Sequence, residues 1–125
     1  MSDHAQALHQ FWSGFEWKAY DEATVPSQDS EPDMPRITYS VAMSEFENTL
    51  VLSASLWDRS YSWASVSQKA DEIYKYIGLG GRIIKYDDGM IWIRRGNPFA
   101  QRMPDEDDTV RRVYLNIEVE YFTSK

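Results

Sequence analysis

"RVYLNIEVEYF", Arg112–Phe122, decides the fold. Val113, Leu115, Ile117, Val119 and Tyr121 alternate with Arg112, Tyr114, Asn116, Glu118, Glu120 and Phe122. A period of two places the first set on one face of a strand and the second on the other. One face is core; the other is polar with aromatic ends. Such a strand belongs in an antiparallel sheet covered on one side and open on the other.

The stretch before it supplies partners. "RIIKY", "DDGM" and "IWIRR", Arg82–Arg95, read as a hairpin, with Asp88-Gly89 as the two-residue turn. If Asp87 faces Met90, then Tyr86 faces Ile91, Ile84 faces Ile93 and Lys85 faces Trp92. A one-residue slip would mix the two faces. Further back, "RITYSVAM" (Arg36–Met43) and "LVLSASLW" (Leu50–Trp57) also alternate, the second placing Leu50, Leu52, Ala54 and Leu56 together. The short "SEFENT" between them favours an antiparallel pair, since parallel pairing needs a longer crossover.

Two helices complete the set. From about Asp3 to Trp17, Leu8, Phe11, Trp12 and Phe15 make one apolar stripe, with Asp3 as N-cap and Gln6 at the capping-box position. Gly14 weakens its end. From about Trp63 to Ile77 the stripe is Val66, Ala70, Ile73 and Ile77, with Ser62 as N-cap and Gly78 in the left-handed position after the last turn. The expected fold is α+β: one domain over 1–125, two layers, with a mostly antiparallel or mixed sheet of about five strands and two flanking helices. Residues 20–35, rich in Pro, Ser and Asp, read as a long connecting loop. Residues 96–110 read as a projecting loop.

Composition narrows the chemistry. There is no cysteine, which removes disulfides, thiol nucleophiles and thiolate metal sites. The net charge is −7, so phosphate backbones are repelled and general nucleic-acid binding is not expected. No apolar run is long enough to span a bilayer, and "MSDHAQALHQ" lacks the pattern of a signal peptide. No membrane partner is expected.

Motif by motif, catalysis finds little support. Asp105, Glu106, Asp107 and Asp108 are consecutive, and adjacent carboxylates on an extended chain point apart rather than converge on a cation. A weak divalent-metal enzyme built on Asp105, Asp107 and Asp108 is the distant alternative. Asp87 and Asp88 suit a turn. Asp71 and Glu72, beside Lys69 and Lys75, suit a solvated helix face. His4 and His9 are not spaced to stack on a helix, and neither an HExxH motif nor a Gly-x-Ser-x-Gly elbow occurs. "GLGGR", Gly78–Arg82, follows a helix and precedes a strand, the reverse of a dinucleotide fingerprint. No enzyme activity, metal or cofactor is expected.

What remains suits assembly. "SLWDRSYSW" (Ser55–Trp63) gathers Trp57, Arg59 and Tyr61, either to close the core around a strand-to-helix turn or to form a contact surface. "RRGNPFAQRMP" (Arg94–Pro104) carries Arg94, Arg95, Phe99 and Arg102, and precedes the acidic run and Arg111-Arg112. Opposed basic and acidic segments suit head-to-tail contacts between copies.

The stretches "YSVAMSEFENTLVLSASLWDRSYSWASVSQKADEIYKYIG", "GRIIKYDDGMIWIRRGNPFAQRM" and "DEDDTVRRVYLNIEVEYFTSK" together resemble the tail terminator family (tail-to-head joining or tail completion proteins) of long-tailed bacteriophages. The resemblance spans about Phe11 to Lys125 as a whole-chain pattern. It implies a non-enzymatic virion protein of the tail and neck, assembled in the host cytoplasm. It also implies a hexameric ring of this chain that caps the tail tube protein and joins it to the head-tail connector protein. The candidate subunit or neck contacts are then Trp57, Arg59, Tyr61, Arg94, Arg95, Phe99, Arg102, Arg111 and Arg112. An acidic channel that keeps passing DNA from sticking would suit either the acidic loop Asp105, Glu106, Asp107 and Asp108 or the strand residues Glu118 and Glu120. Because the 20–35 connection is long for a minimal terminator, another minor neck or head completion protein is the alternative.

Overall fold

The computed structural model describes residues 4–24, 34–41 and 49–123. The Asp3 cap, Met43, most of "SEFENT" and most of the 20–35 connection lie outside the described residues. Helix α1 is His4–Ser13, strand β1 Lys18–Asp21, β2 Arg36–Tyr39, β3 Leu50–Arg59, helix α2 Ala64–Ile77, β4 Arg82–Tyr86, β5 Gly89–Met103 and β6 Val110–Thr123. The strands form one sheet in the order β1-β2-β3-β6-β5-β4, curled into a half-barrel. Among the described residues, only the β1–β2 pair is parallel.

The α+β architecture expected from the alternation is present, with six strands among the described residues rather than about five. The extra one is β1, "KAYD", a four-residue strand that buries only Ala19. So short a strand carries no period to detect.

Strand β6 lies between β3 and β5, and its register links the whole sheet. Leu52 faces Ile117, Ala54 faces Leu115 and Leu56 faces Val113 on one side; Ile91 faces Tyr121 and Ile93 faces Val119 on the other. All ten side chains are buried. Over them α2 lays Val66, Ala70, Ile73 and Ile77, and α1 lays Ala7, Leu8, Phe11 and Trp12. Each fully buried large side chain contributes about 1.5–3 kcal/mol relative to exposure. Both helices sit on this one face: α2 packs on β3, β5 and β6, and α1 on β1, β4 and β5.

Four local expectations change. Helix α1 ends at Ser13 rather than near Trp17. Beyond Gly14 the chain turns through Glu16 at φ 72°, and the freed Phe15 carbonyl accepts a 2.7 Å hydrogen bond from Lys69 Nζ. The cap of α2 is Trp63, without a side-chain hydrogen bond; Ser62 Oγ instead accepts from the Ala64 N–H, two residues on. Gly78 has the expected positive φ, 78°, but an extended ψ of 172°. The β4–β5 hairpin turns at Asp87-Asp88, so that Tyr86 faces Gly89, Ile84 faces Ile91 and Ile83 faces Trp92. This is two residues away from the expected register. Because the side-chain period is two, the shift leaves every residue on its expected face, and alternation cannot register it.

The expected projecting loop over 96–110 is mostly strand. Residues 96–103 belong to β5, which resumes pairing after an irregularity between Arg95 and Ala100. The bulge carries four residues, Gly96–Phe99, that alternation reads as loop. The true connection is the tip between Met103 and Val110.

Candidate functional site

The candidate contact residues fall into three places. At the β5–β6 tip the acidic run is braced. Asp105 Oδ1 accepts from the Asp107 N–H, and Asp107 Oδ1 accepts from both the N–H and hydroxyl of Thr109. Arg59 reaches Asp107 Oδ2 at 3.2 Å. Arg111 donates to the carbonyls of Asp108 and Tyr61, and its guanidinium lies over Trp63, 5.4 Å from the ring centre. These are side-chain turns that hold a hairpin end. Glu106 and Asp108 are exposed, and Tyr61 is 77% exposed beside them.

Asp107 also has a pH signature. The Thr109 hydroxyl, then the Thr109 N–H and then Arg59 hold its carboxyl below the ordinary aspartate value. A lowered carboxyl stabilises the folded tip above the ordinary aspartate range, and that stabilisation disappears as pH falls through the lowered value. In a carbon-detected NMR titration, Asp107 should titrate below an ordinary aspartate. Thr109→Val should move the midpoint upward, and an unmoved midpoint would show that the hydroxyl bond does not form.

The second place is the open face of the sheet, opposite the helices. Trp57 is half-buried there between Arg36 and Arg112, whose guanidinium carbons lie 5.3 and 4.5 Å from its ring centre. Its indole N–H donates to Thr38 Oγ1, and Arg112 Nε donates to Ser55 Oγ. Farther along, Arg94 lies over Trp92 and pairs with Glu120 at 3.0 Å and Glu118 at 3.8 Å. Glu118 and Glu120, the alternative candidates for channel charge, thus flank a cation. Val51, 68% exposed, Ile83, 55% exposed, and Phe122 surround this network.

The third place is a groove of about 390 Å³ between α2 and the distal half of β5. Arg95 covers one end, stacked 3.4 Å from the ring centre of Tyr74 and donating to its carbonyl. Phe99 meets the same tyrosine edge-on at 5.3 Å. Arg102 lies over Trp63, 4.8 Å from the ring centre, at the other end. This groove escaped the sequence reading because it exists only when residues 99–102 are strand.

Two further features were not anticipated. Leu79, in the turn after α2, is 96% exposed; its signal was the glycines around it. Also, Ser13 Oγ lies 3.3 Å from His9 Nε2, whose Nδ1 lies 2.8 Å from the Tyr39 hydroxyl. The signal was the i,i+4 spacing of His9 and Ser13. Burial, then the Asp21 carboxylate, raises the Tyr39 phenol above its ordinary value, so the phenol stays protonated. Ser13 sits in the last turn of α1, where helix carbonyls oppose a developing oxyanion. The geometry favours a brace between α1 and β2 over a nucleophile.

Among the described residues, no group of three His, Asp or Glu side chains is placed to hold a metal ion. Among them, too, no helix is long and apolar enough to cross a membrane. Neither a scan against protein-family models nor a search of curated proteins finds a match.

Proposed function

We propose that this chain is a structural subunit of a homo-oligomeric ring, a tail terminator that caps a phage tail tube and joins it to the head-tail connector. The observation that carries the reading is the set of exposed apolar side chains, Leu79, Val51, Ile83 and Phe122, on a chain whose polar clusters are engaged in holding strand ends and turns. Exposed apolar residues gathered around charged ones mark association surfaces. The whole-chain resemblance supplies the kind of assembly. The braced acidic tip then acts as a shaped, negatively charged projection rather than a reactive group.

The test is solution mass across a concentration series, by light scattering after size separation. Six chains of 14.6 kDa give a species of about 88 kDa. A chain that stays monomeric throughout would overturn the self-assembling ring and favour a completion factor that joins the neck as a single copy.

A further inference from the structure

Among the described residues, the sheet ends in two edge strands, β1 and β4, each paired on one side alone. The way β4 aims its backbone follows from its turn. A two-residue turn closes on a hydrogen-bonded pair, here Tyr86 with Gly89, and bonded pairs then alternate with non-bonded ones. Ile84 with Ile91 and Arg82 with Ile93 are therefore bonded, whereas Ile83 and Lys85 turn their N–H and C=O groups outward. This edge is lightly guarded. It has no proline, and its pairing with β5 shows no bulge. Arg82 is folded back onto the carbonyl and ring of Tyr76, which leaves Lys85 as the one outlying charge. Ile83 stands 55% exposed beside it.

A hollow of about 640 Å³ lies along the other edge. Its lining comes from His9 and Ser13 of α1 and from the segment Glu16 to Tyr20, with no residue of β2. It therefore lies on the side of β1 away from β2. In a parallel pair, alternate residues of β1 turn their backbone groups that way. A helix beside an open strand edge is the arrangement that accepts an added strand.

Strand direction completes the match. Strands β1 and β2 run one way, β3 the other, β6 back, β5 reversed, and β4 again with β1. Rotating a second copy about an axis along the strands therefore brings its β1 parallel to β4 of the first, with both helix layers on the same side. Backbone groups rather than charge carry this match, since the hollow holds one carboxylate, Glu16, and one ammonium, Lys18.

Resting on the ring reading above, we infer that copies join edge to edge: β4 of one copy adds as a parallel strand to β1 of the next. Each half-barrel then supplies one arc of a continuous sheet, and closure of the ring leaves no free edge.

Two variants at one position test it. Ile83→Pro removes an outward N–H at a place where an edge strand tolerates proline. Ile83→Thr keeps that N–H on a β-branched residue. Both should keep the wild-type circular dichroism spectrum. The threonine variant should assemble as wild type does, and the proline variant should remain a 14.6 kDa monomer. A folded proline variant that assembles, or a threonine variant that does not, would overturn edge pairing. Wild-type protein gives a second readout that needs no variant to fold. Residue-resolved amide hydrogen exchange compares the assembled chain with the dilute monomer. The amides of Ile83 and Lys85, and the β1 amides that face away from β2, should slow at least about tenfold on assembly. Unchanged exchange at these amides in a chain that forms the ring would overturn this contact while leaving the ring intact. Slowing at β4 alone would overturn β1 as its partner. A wild-type chain that forms no ring would remove the proposal together with the function it rests on.

Discussion

Trp12→Ala is expected to lower the free energy of unfolding by about 3–5 kcal/mol, the cost of deleting a fully buried tryptophan and leaving its cavity. Trp12 is 1% exposed. It lies on the inner stripe of α1, stacked on Tyr39 with 6.4 Å between ring centres and 17° between planes. Phe11 meets its edge at 4.9 Å. Helix α1 has only ten residues, too few to persist without tertiary packing. Its docking also spans the sheet, from edge strand β1 to edge strand β4. Loss of the indole therefore weakens the element that bridges both edges of the half-barrel. The Tyr39–His9 hydrogen bond on the same side does not fill the space. Urea unfolding should show a lower midpoint with an unchanged slope, since the surface exposed on unfolding is nearly the same. A loss below about 1 kcal/mol, the range of ordinary surface substitutions, would mean that α1 is not docked as described.

The stripe that contains Trp12 was readable because helix and strand periods are properties of consecutive residues. The same is true of Val66, Ala70, Ile73 and Ile77, and of Val113 to Tyr121. Each of these sets is buried as the spacing specifies. What escaped depends on other parts of the chain. Strand β1 exists because β2 offers a parallel edge, and "KAYD" alone has no pattern that requires it. The β4–β5 register moved by two residues with no change of face, so only pairing with Trp92 and β6 could decide it. The contact candidates divide along the same line. Their residue types, arginines and aromatics near a strand end, were visible. Their pairings were not, and these pairings alter what each residue offers. Arg94 is occupied by Glu118 and Glu120, Arg112 by Ser55 and Trp57, and Arg59 by Asp107 and Thr109. Leu79 drew no attention because an isolated exposed leucine has no period at all.

Gly96→Val is the substitution expected to test the distal hairpin most severely. At Gly96 the β5 backbone leaves its first register with β6, and pairing resumes at Ala100 opposite Leu115. A Cβ on residue 96 would lie 2.5 Å from the Asn116 carbonyl oxygen and 2.8 Å from its carbonyl carbon. These are backbone atoms of the central strand, paired on their other side with β3, so they cannot move aside as a side-chain end would. The Asn116 amide also donates to the Pro98 carbonyl across the same bulge. Valine must therefore push the two strands apart at the bulge. The expected cost is about 1–3 kcal/mol, the usual range for overpacking a close contact. The damage should be directional. Residues 89–95 keep their register because β4 and the second half of β6 hold them, whereas residues 100–103 lose theirs. Amide hydrogen exchange should accelerate from Ala100 to Met103 and through the acidic tip, with Ile91 and Ile93 little changed. Uniform loss of protection across β5 would instead mean that the bulge and the proximal strand form one cooperative unit.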